Sequence, residues 1–209
     1  MASKNVLLVE GPDDKHFVHH LRLRKGLTNS SFYIKEKGGV NTLLDKLDAE
    51  VDASELERLG ILVDANGNLN ARWQSIRDRL HSLGYEDAPS KANREGMFVK
   101  KQGVRPSVGI WIMPNNQDAG YLESFYIGLI QPDELEKLAW GAIQHIPDSL
   151  RKFPLNHEVK AVVHTWLAWQ EEPGKPMGQA VQKGYVDLNH ASINSFMNWL
   201  NKTFDLGVK

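Results

Sequence analysis

The chain of 209 residues has a formal net charge of −1, with 41% hydrophobic and 24% charged residues. These proportions are those of a folded soluble protein with one substantial core, and they exclude a disordered, collagenous or coiled-coil chain. Cysteine is absent, so neither a disulfide framework nor a thiolate metal site is open to it.

A module that grips nucleic acid by bulk electrostatics is usually clearly basic. The near-neutral charge argues against that class and leaves room for an enzyme that meets phosphates through a bound metal and a local basic patch. Residues 1–5 lead straight into Val6-Leu7-Leu8-Val9, a run that Glu10 ends. It is too short for a secretory signal, and no apolar stretch approaches the length needed to span a bilayer. The expectation is a cytoplasmic protein with no membrane partner.

The run Val6-Leu7-Leu8-Val9 reads as a strand buried on both faces of a mainly parallel sheet. Gly11-Pro12 breaks it, and Asp13 or Asp14 caps a helix to about Lys25 with Phe17, Val18, Leu21 and Leu23 on its apolar side. Ser31-Phe32-Tyr33-Ile34 predicts a second strand. After Lys37-Gly38-Gly39, the spacing of Val40, Leu43, Leu44 and Leu47 predicts another helix. Leu59-Gly60-Ile61-Leu62-Val63 is the third strand, followed by a helix over about 70–83 that uses Trp73, Ile76, Leu80 and Leu83. Residues 85–105 are polar, with Gly96-Met97-Phe98-Val99 as a short strand, and Ser107 to Met113 is the clearest late strand. Strands alternating with helices predict an α/β fold: an open, mainly parallel sheet flanked by helices.

After Tyr121 the character changes. Helices are expected over 132–146, over 157–170 and over 193–204, with 174–183 as loop. Residues 131–209 thus form a C-terminal helical layer packed on a core of residues 1–130.

Three polar features stand at the carboxyl ends of apolar runs: Glu10 after the first, Asp64 after the third, and Asn115, Asn116 and Asp118 after the last. Ligands of open α/β sheets bind in the crevice outside those ends. Carboxylates converging there repel unless a cation compensates, and hard oxygen donors suit Mg²⁺ or Mn²⁺. Such an ion polarises phosphoryl oxygens and activates water, which is phosphodiester chemistry without a protein nucleophile.

Here the chain resembles a known family. Val6-Leu7-Leu8-Val9-Glu10-Gly11-Pro12-Asp13-Asp14 looks like the first motif of TOPRIM domains, which topoisomerases, bacterial primases, recombination-repair proteins and OLD-family nucleases share. Ile61-Leu62-Val63-Asp64-Ala65-Asn66 looks like the second, a strand ending in Asp-x-Asp. Trp111-Ile112-Met113-Pro114-Asn115-Asn116 with Gly120-Tyr121-Leu122-Glu123 is similar to the late strand and Gly-x-x-Glu segment of small stand-alone relatives of OLD nucleases. The resemblance covers about residues 4–130. It implies a TOPRIM-like sheet and a Mg²⁺- or Mn²⁺-dependent nuclease or related phosphodiester enzyme acting on DNA or RNA. Glu10, Asp64 and Glu123 would be metal ligands with Asn66 and Asp118 as auxiliaries. Glu10 and Asp64 would be catalytic, Glu10 also as general acid or base. The departure is Asn66, where the family has a second Asp: an amide oxygen still ligates but adds no charge.

Plainer readings stand beside these. Glu10 to Asp14 is also a strand-to-helix turn in which Asp13 and Asp14 cap the helix, and Asp64 to Asn68 is also an Asn-Gly loop. Gly38-Gly39 reads as a tight turn before a phosphate cradle. His16, His19 and His20 read as a solvated helix face before a zinc site. Lys91, Arg94, Lys100, Lys101 and Arg105 form one basic stretch that would steer a phosphate backbone or merely solvate a loop. Trp140, Trp166, Trp169 and Trp199 read as packing. The rival function is a catalytically degenerate TOPRIM module that binds nucleic acid or a partner protein, and a homodimer is left open.

Overall fold

The computed structural model describes residues 4–28, 31–53, 55–101 and 104–207. In chain order its elements are β1 (Asn5–Val9), α1 (Pro12–Arg24), β2 (Tyr33–Glu36), α2 (Val40–Asp45), α3 (Leu47–Val51), β3 (Arg58–Asp64) and α4 (Leu69–Ser82). There follow β4 (Met97–Lys101), β5 (Val104–Met113), α5 (Leu122–Ile127), α6 (Glu134–Gln144), α7 (Glu158–Ala168), α8 (Met177–Lys183) and α9 (Ala191–Phe204). Among the described residues no helix is long and apolar enough to cross a membrane.

The strands form one five-stranded sheet in the order β2-β1-β3-β5-β4. β1 lies parallel to β2 and to β3, β3 is parallel to β5, and only the edge strand β4 runs antiparallel, against β5. The fold is therefore α/β with a mainly parallel sheet flanked by helices and a set of C-terminal helices. The chain leaves β1 toward β2 on one side and leaves β3 toward β5 on the other. Between β1 and β3 the winding reverses, which opens a crevice at their carboxyl ends. The register Val9↔Leu62 and Asp64↔Met113 brings the ends of β1, β3 and β5 to one edge.

Alternation along the strands builds two cores, one on each face. Leu7, Val9, Leu62, Trp111 and Met113 face α1 and the C-terminal helices, in a cluster that includes Phe17, Phe125, Trp166, Phe196, Trp199 and Phe204. Leu8, Ile61, Val63, Ile110 and Ile112 face the other way, toward Leu43, Leu47, Trp73 and Ile76. On the first face Gly60 and Gly109 leave room for α9: a Cβ on Gly60 would stand 2.8 Å from the Phe204 ring, and one on Gly109 would stand 2.8 Å from Thr203 Cγ2.

Three local expectations change. The helix expected through Val40, Leu43, Leu44 and Leu47 breaks at Lys46 into α2 and α3. Residues 174–183 are loop only in part, because Met177–Lys183 is helical. Its Gly178 lies against the backbone of His16, so α8 covers α1 by close approach of two backbones, a contact that composition does not announce. The short α5 follows Gly120 where no helix was expected. Of the four tryptophans read as packing, Trp166 and Trp199 are buried, Trp140 is partly buried against the core, and Trp169 is 42% exposed.

Candidate functional site

Glu10 is the first residue past β1, and Asp64 is the last of β3. They meet directly: the Asp64 backbone N–H donates to Glu10 Oε1 at 2.8 Å. The Gly38-Gly39 turn contributes to the same carboxylate. Gly38 and Gly39 take φ of 72° and 108°, which glycine adopts at no steric cost. This lets Gly39 N–H donate to the Glu10 carbonyl at 2.8 Å while Val40 N–H, at the start of α2, reaches the Glu10 side chain. That turn serves Glu10; it is not an open phosphate cradle.

Asp64 is held by the third motif. Asn66, at φ 54°, forms a two-bond bridge with Gly120: Asn66 N–H donates to Gly120 O at 2.9 Å, and Gly120 N–H donates to Asn66 O at 2.8 Å. The bridge carries the start of α5 to β3, where Leu122 N–H donates to Asp64 Oδ1 at 3.0 Å. The next residue, Glu123, is buried in the first turn of α5. Its Oε1 accepts from Lys160 Nζ of α7 at 2.8 Å, with His164 Nε2 at 4.0 Å from the same oxygen.

A fourth carboxylate completes the group. Asp14 does help to close the start of α1, since its Oδ2 accepts from Gly11 N–H at 3.0 Å. It is also buried, and it faces the charges of Glu10 and Glu123. Asp13 lies beside it but is exposed.

The electrostatics report the crowding. Burial, and then the charges of Asp14, Glu10 and Glu123, push the Asp64 carboxyl up to about 8. Burial chiefly, with Glu10, Glu123 and Asp13 adding to it, pushes Asp14 up to about 7. Glu10 is raised by burial against the opposing pull of the Asp64 N–H, Arg72 and the Val40 N–H. Arg72 is placed by its Nε–H, which donates to the Asp64 carbonyl at 2.8 Å. Lys160 is drawn down by burial, but its bond to Glu123 and the charges of Glu123, Asp64 and Asp13 outweigh this and raise it.

Glu10, Asp64 and Glu123 thus come together, and Asp14 with them. Asn66 enters through its backbone. Asp118 stands apart, exposed, with its Oδ2 accepting from Asn115 Nδ2 at 2.8 Å. Asn116 is structural: its buried side chain accepts from Ile112 N–H at 2.6 Å and donates to the Arg94 carbonyl at 3.2 Å. That second bond brings the loop before β4 to the same sheet edge, with Lys91 and Arg94 exposed on it. Lys100 is exposed further along β4, while the side chains of Lys101 and Arg105 lie outside the described residues. Of the histidines on α1, His16 is exposed and His19 Nδ1 bonds to Arg22 Nη2 at 3.2 Å, so they assemble no ligand set.

Among the described residues no group of three or more His, Asp or Glu side chains stands at coordinating distance of one point. The donor chemistry nevertheless fits a hard cation. Asp14, Asp64 and Glu123 are each anchored through one oxygen, and no described residue is bonded to the other. Mg²⁺ commonly takes one or two protein carboxylates and completes its shell with water and substrate oxygens. The groups most informative about the site that the sequence left unassigned are Asp14 and Lys160. Lys160 and His164, four residues apart within the largely apolar stretch Val159 to Leu167, carried a signal for this: polar residues on one side of a helix whose other side is buried.

A family model described as "Protein of unknown function (DUF3226)" matches residues 4–205. No curated protein and no solved structure matches the chain.

Proposed function

We propose that this chain, which belongs to the DUF3226 family, is a Mg²⁺- or Mn²⁺-dependent nuclease or related phosphodiester enzyme. The observation that carries the reading is the convergence of Glu10, Asp14, Asp64 and Glu123 at the crevice between β1 and β3, where burial and mutual repulsion raise Asp64 and Asp14. Perturbed carboxylates in a strand-end crevice are what a metal-assisted site requires. The resemblance of the strings around Glu10 and Asp64 to TOPRIM motifs points the same way and supplies the substrate class, DNA or RNA. The proposed location is the cytoplasm.

In this reading Glu10, Asp14 and Asp64 offer oxygens to the cation, with Asn66 as auxiliary and water and substrate oxygens completing the shell; Asp118, exposed and bonded to Asn115, lies outside it. The ion, when bound, neutralises charge on the phosphodiester and makes water a better nucleophile. The protein's own part is positional. The Asp64 N–H fixes Glu10, and the Leu122 N–H fixes Asp64. The resemblance also makes Glu10 the group that would take up or return a proton at the attacking or leaving oxygen. Lys91, Arg94 and Lys160 offer positive charge at the same edge for the phosphate backbone.

Purified protein incubated with plasmid DNA or single-stranded RNA and Mn²⁺ should cut at least one of them, and EDTA should abolish cutting. Glu10→Gln and Asp64→Asn should each lower the rate at least a hundredfold while leaving the circular dichroism spectrum unchanged. Cutting that persists in both variants would sink the reading.

The Glu123–Lys160 ion pair favours a second reading, a TOPRIM-like module that binds nucleic acid or a partner protein without cleaving it. It expects no cutting with any metal and binding that is indifferent to Glu10→Gln.

A further inference from the structure

We infer that Arg94 and Lys202 seat a backbone phosphate of the nucleic-acid strand, in a groove between the loop before β4 and α9, on the far side of β5 from the carboxylate crevice. The inference rests on the nucleic-acid substrate of the reading above and names the surface that holds it.

The crevice presents carboxylates to such a strand, and a chain of net charge −1 offers no general excess of positive charge to draw it in. A local seat is needed, and the groove has the parts of one. Its volume is about 430 Å³, and Arg94, Glu95, Ser195, Asn198, Trp199 and Lys202 line it. Ser195, Asn198 and Lys202 stand at positions i, i+3 and i+7 of α9, so they form one exposed stripe, away from the side that buries Ile193, Phe196 and Leu200. Arg94 faces them from the loop. Both cations are exposed, and among the described residues neither has a carboxylate partner. Lys202 Nζ stands 4.1 Å from the centre of the Phe98 ring, which holds the ammonium without neutralising it. Glu95 is the one carboxylate among the lining residues, so the groove is net positive. Ser195 and Asn198 add neutral donors of the kind that bond phosphate oxygens.

Both walls are anchored. The Arg94 carbonyl accepts from Asn116 Nδ2 at 3.2 Å, and Gly96 N–H donates to the Asn93 carbonyl at 2.9 Å. Gly96 takes φ of 91° and lies so close to Trp199 that a Cβ there would overlap the indole. The opposite wall, α9, is seated on the sheet where Thr203 meets Gly109. The location is equally specific. β4 runs antiparallel to β5 with Met97 beside Ile110, so the loop before it returns to the level of Met113, which pairs with Asp64. From β3 across β5 to β4 is two strand spacings, about 10 Å. α9 covers the same face of the sheet as α1 and α5, which bring Asp14 and Glu123 to the crevice. One strand can therefore lie in the groove and present a neighbouring linkage to the carboxylates.

The test is binding of fluorescein-labelled ten-nucleotide single strands, DNA and RNA, by the full chain, followed by anisotropy in EDTA so that nothing is cut. Arg94→Gln and Lys202→Gln should each raise Kd at least about fivefold, and each should lower the slope of log Kd against log salt by about 0.7, the value for one phosphate contact with a single strand. Glu95→Gln should tighten binding about twofold, a gain that mere structural damage would not produce. Adenosine monophosphate should compete only at concentrations about a hundredfold above those of the unlabelled strand. Arg94 and Lys202 variants that bind like wild type with the same salt slope would overturn the inference, while Mn²⁺-dependent cutting would leave the reading beneath it intact. Monophosphate that competes as well as the ten-mer would overturn the strand as occupant. Wild type that binds neither strand would also overturn the inference. Weakened binding in both variants, with no cutting by wild type under any metal, would uphold the groove and overturn the nuclease reading.

Discussion

Replacing Asp64 with Asn should stabilise the metal-free protein at pH 8 and flatten its stability profile below that. In the folded chain, burial and then the charges of Asp14, Glu10 and Glu123 push this carboxyl up to about 8, against an ordinary value of 3.8. Between those two values the folded chain holds a proton that the unfolded chain has released, so raising the pH through this window favours unfolding. The contribution is fully present below about pH 4 and is lost as the pH passes about 8. Taken alone, that interval corresponds to at most about 6 kcal/mol. Asp14, raised to about 7, ionises in the same window. Each charge raises the cost of the other, so removing one recovers only part of the total, on the order of 2 kcal/mol. For a chain of this length that is about 5 °C in Tm. Asn preserves the geometry, because its Oδ1 still accepts the Leu122 N–H now bonded at 3.0 Å. Thermal unfolding in chelator from pH 5 to 8.5 is the assay. Wild type should lose stability across the range, and the variant should lose less and melt higher at pH 8. With saturating Mn²⁺ the order should reverse, because ligand binding stabilises the chain that binds it more tightly. A wild-type curve that is flat in chelator, or a variant that melts lower at pH 8, would refute the reasoning.

Four further substitutions probe the site and the packing around it. Asn66→Asp keeps a residue type that tolerates φ near 54° and adds a hard anionic donor beside Asp64; calorimetry should show tighter Mg²⁺ binding, and equal affinities would mean that the side chain points away from the ion. Gly109→Ala places a methyl group against Thr203 of α9, 2.8 Å from its Cγ2, and should cost about 1–3 kcal/mol in urea unfolding. Gly67→Ala, which meets nothing within 4 Å, should change stability by about 0.5 kcal/mol at most. Asn116→Ala leaves the buried Ile112 N–H and the Arg94 carbonyl without their partner and should cost about 2 kcal/mol, read as a fall in Tm of roughly 5 °C.

What could be read in the sequence follows from where the determining forces act. β1, β3 and β5 are buried on both faces, so unbroken runs such as Leu7 to Val9 and Ile61 to Val63 marked them directly. Glu10 and Asp64 were legible for the same reason, because a carboxylate that ends such a run lands at the sheet edge. α8 was not legible. Its Gly and Gln residues and the Pro176 before it read as loop, and it is helical where Gly178 allows close approach to His16, a contact made at long sequence distance. Asp14 was half legible: it has the local cap role expected of it, but its membership of the cluster depends on how α1 lies over β1. Lys160 lies 37 positions after its partner Glu123, and that distance hides its role, although Lys160 and His164 mark one side of α7 as polar.

The way the cluster is held argues that it is there for its chemistry. The Asp64, Gly11 and Leu122 N–H groups each fix one carboxylate oxygen, and the three donors come from the end of β3, the turn after β1 and the start of α5. Backbone geometry, not charge attraction, therefore sets the positions of Glu10, Asp14 and Asp64, while their charges work against the fold. Amides at the same places could accept the same N–H bonds without the repulsion, so a chain shaped by stability alone would favour Gln or Asn there. Among the described residues Glu123 is paired with Lys160, and Arg72 offsets Glu10 in part. The remaining negative potential lies at the crevice between β1 and β3, where a cation would convert the repulsion among these carboxylates into an attraction. A cost to the empty fold that a bound ion reverses is the thermodynamic form of a binding site. The same reversal would couple metal affinity to pH, with Asp14 and Asp64 releasing protons as the ion enters.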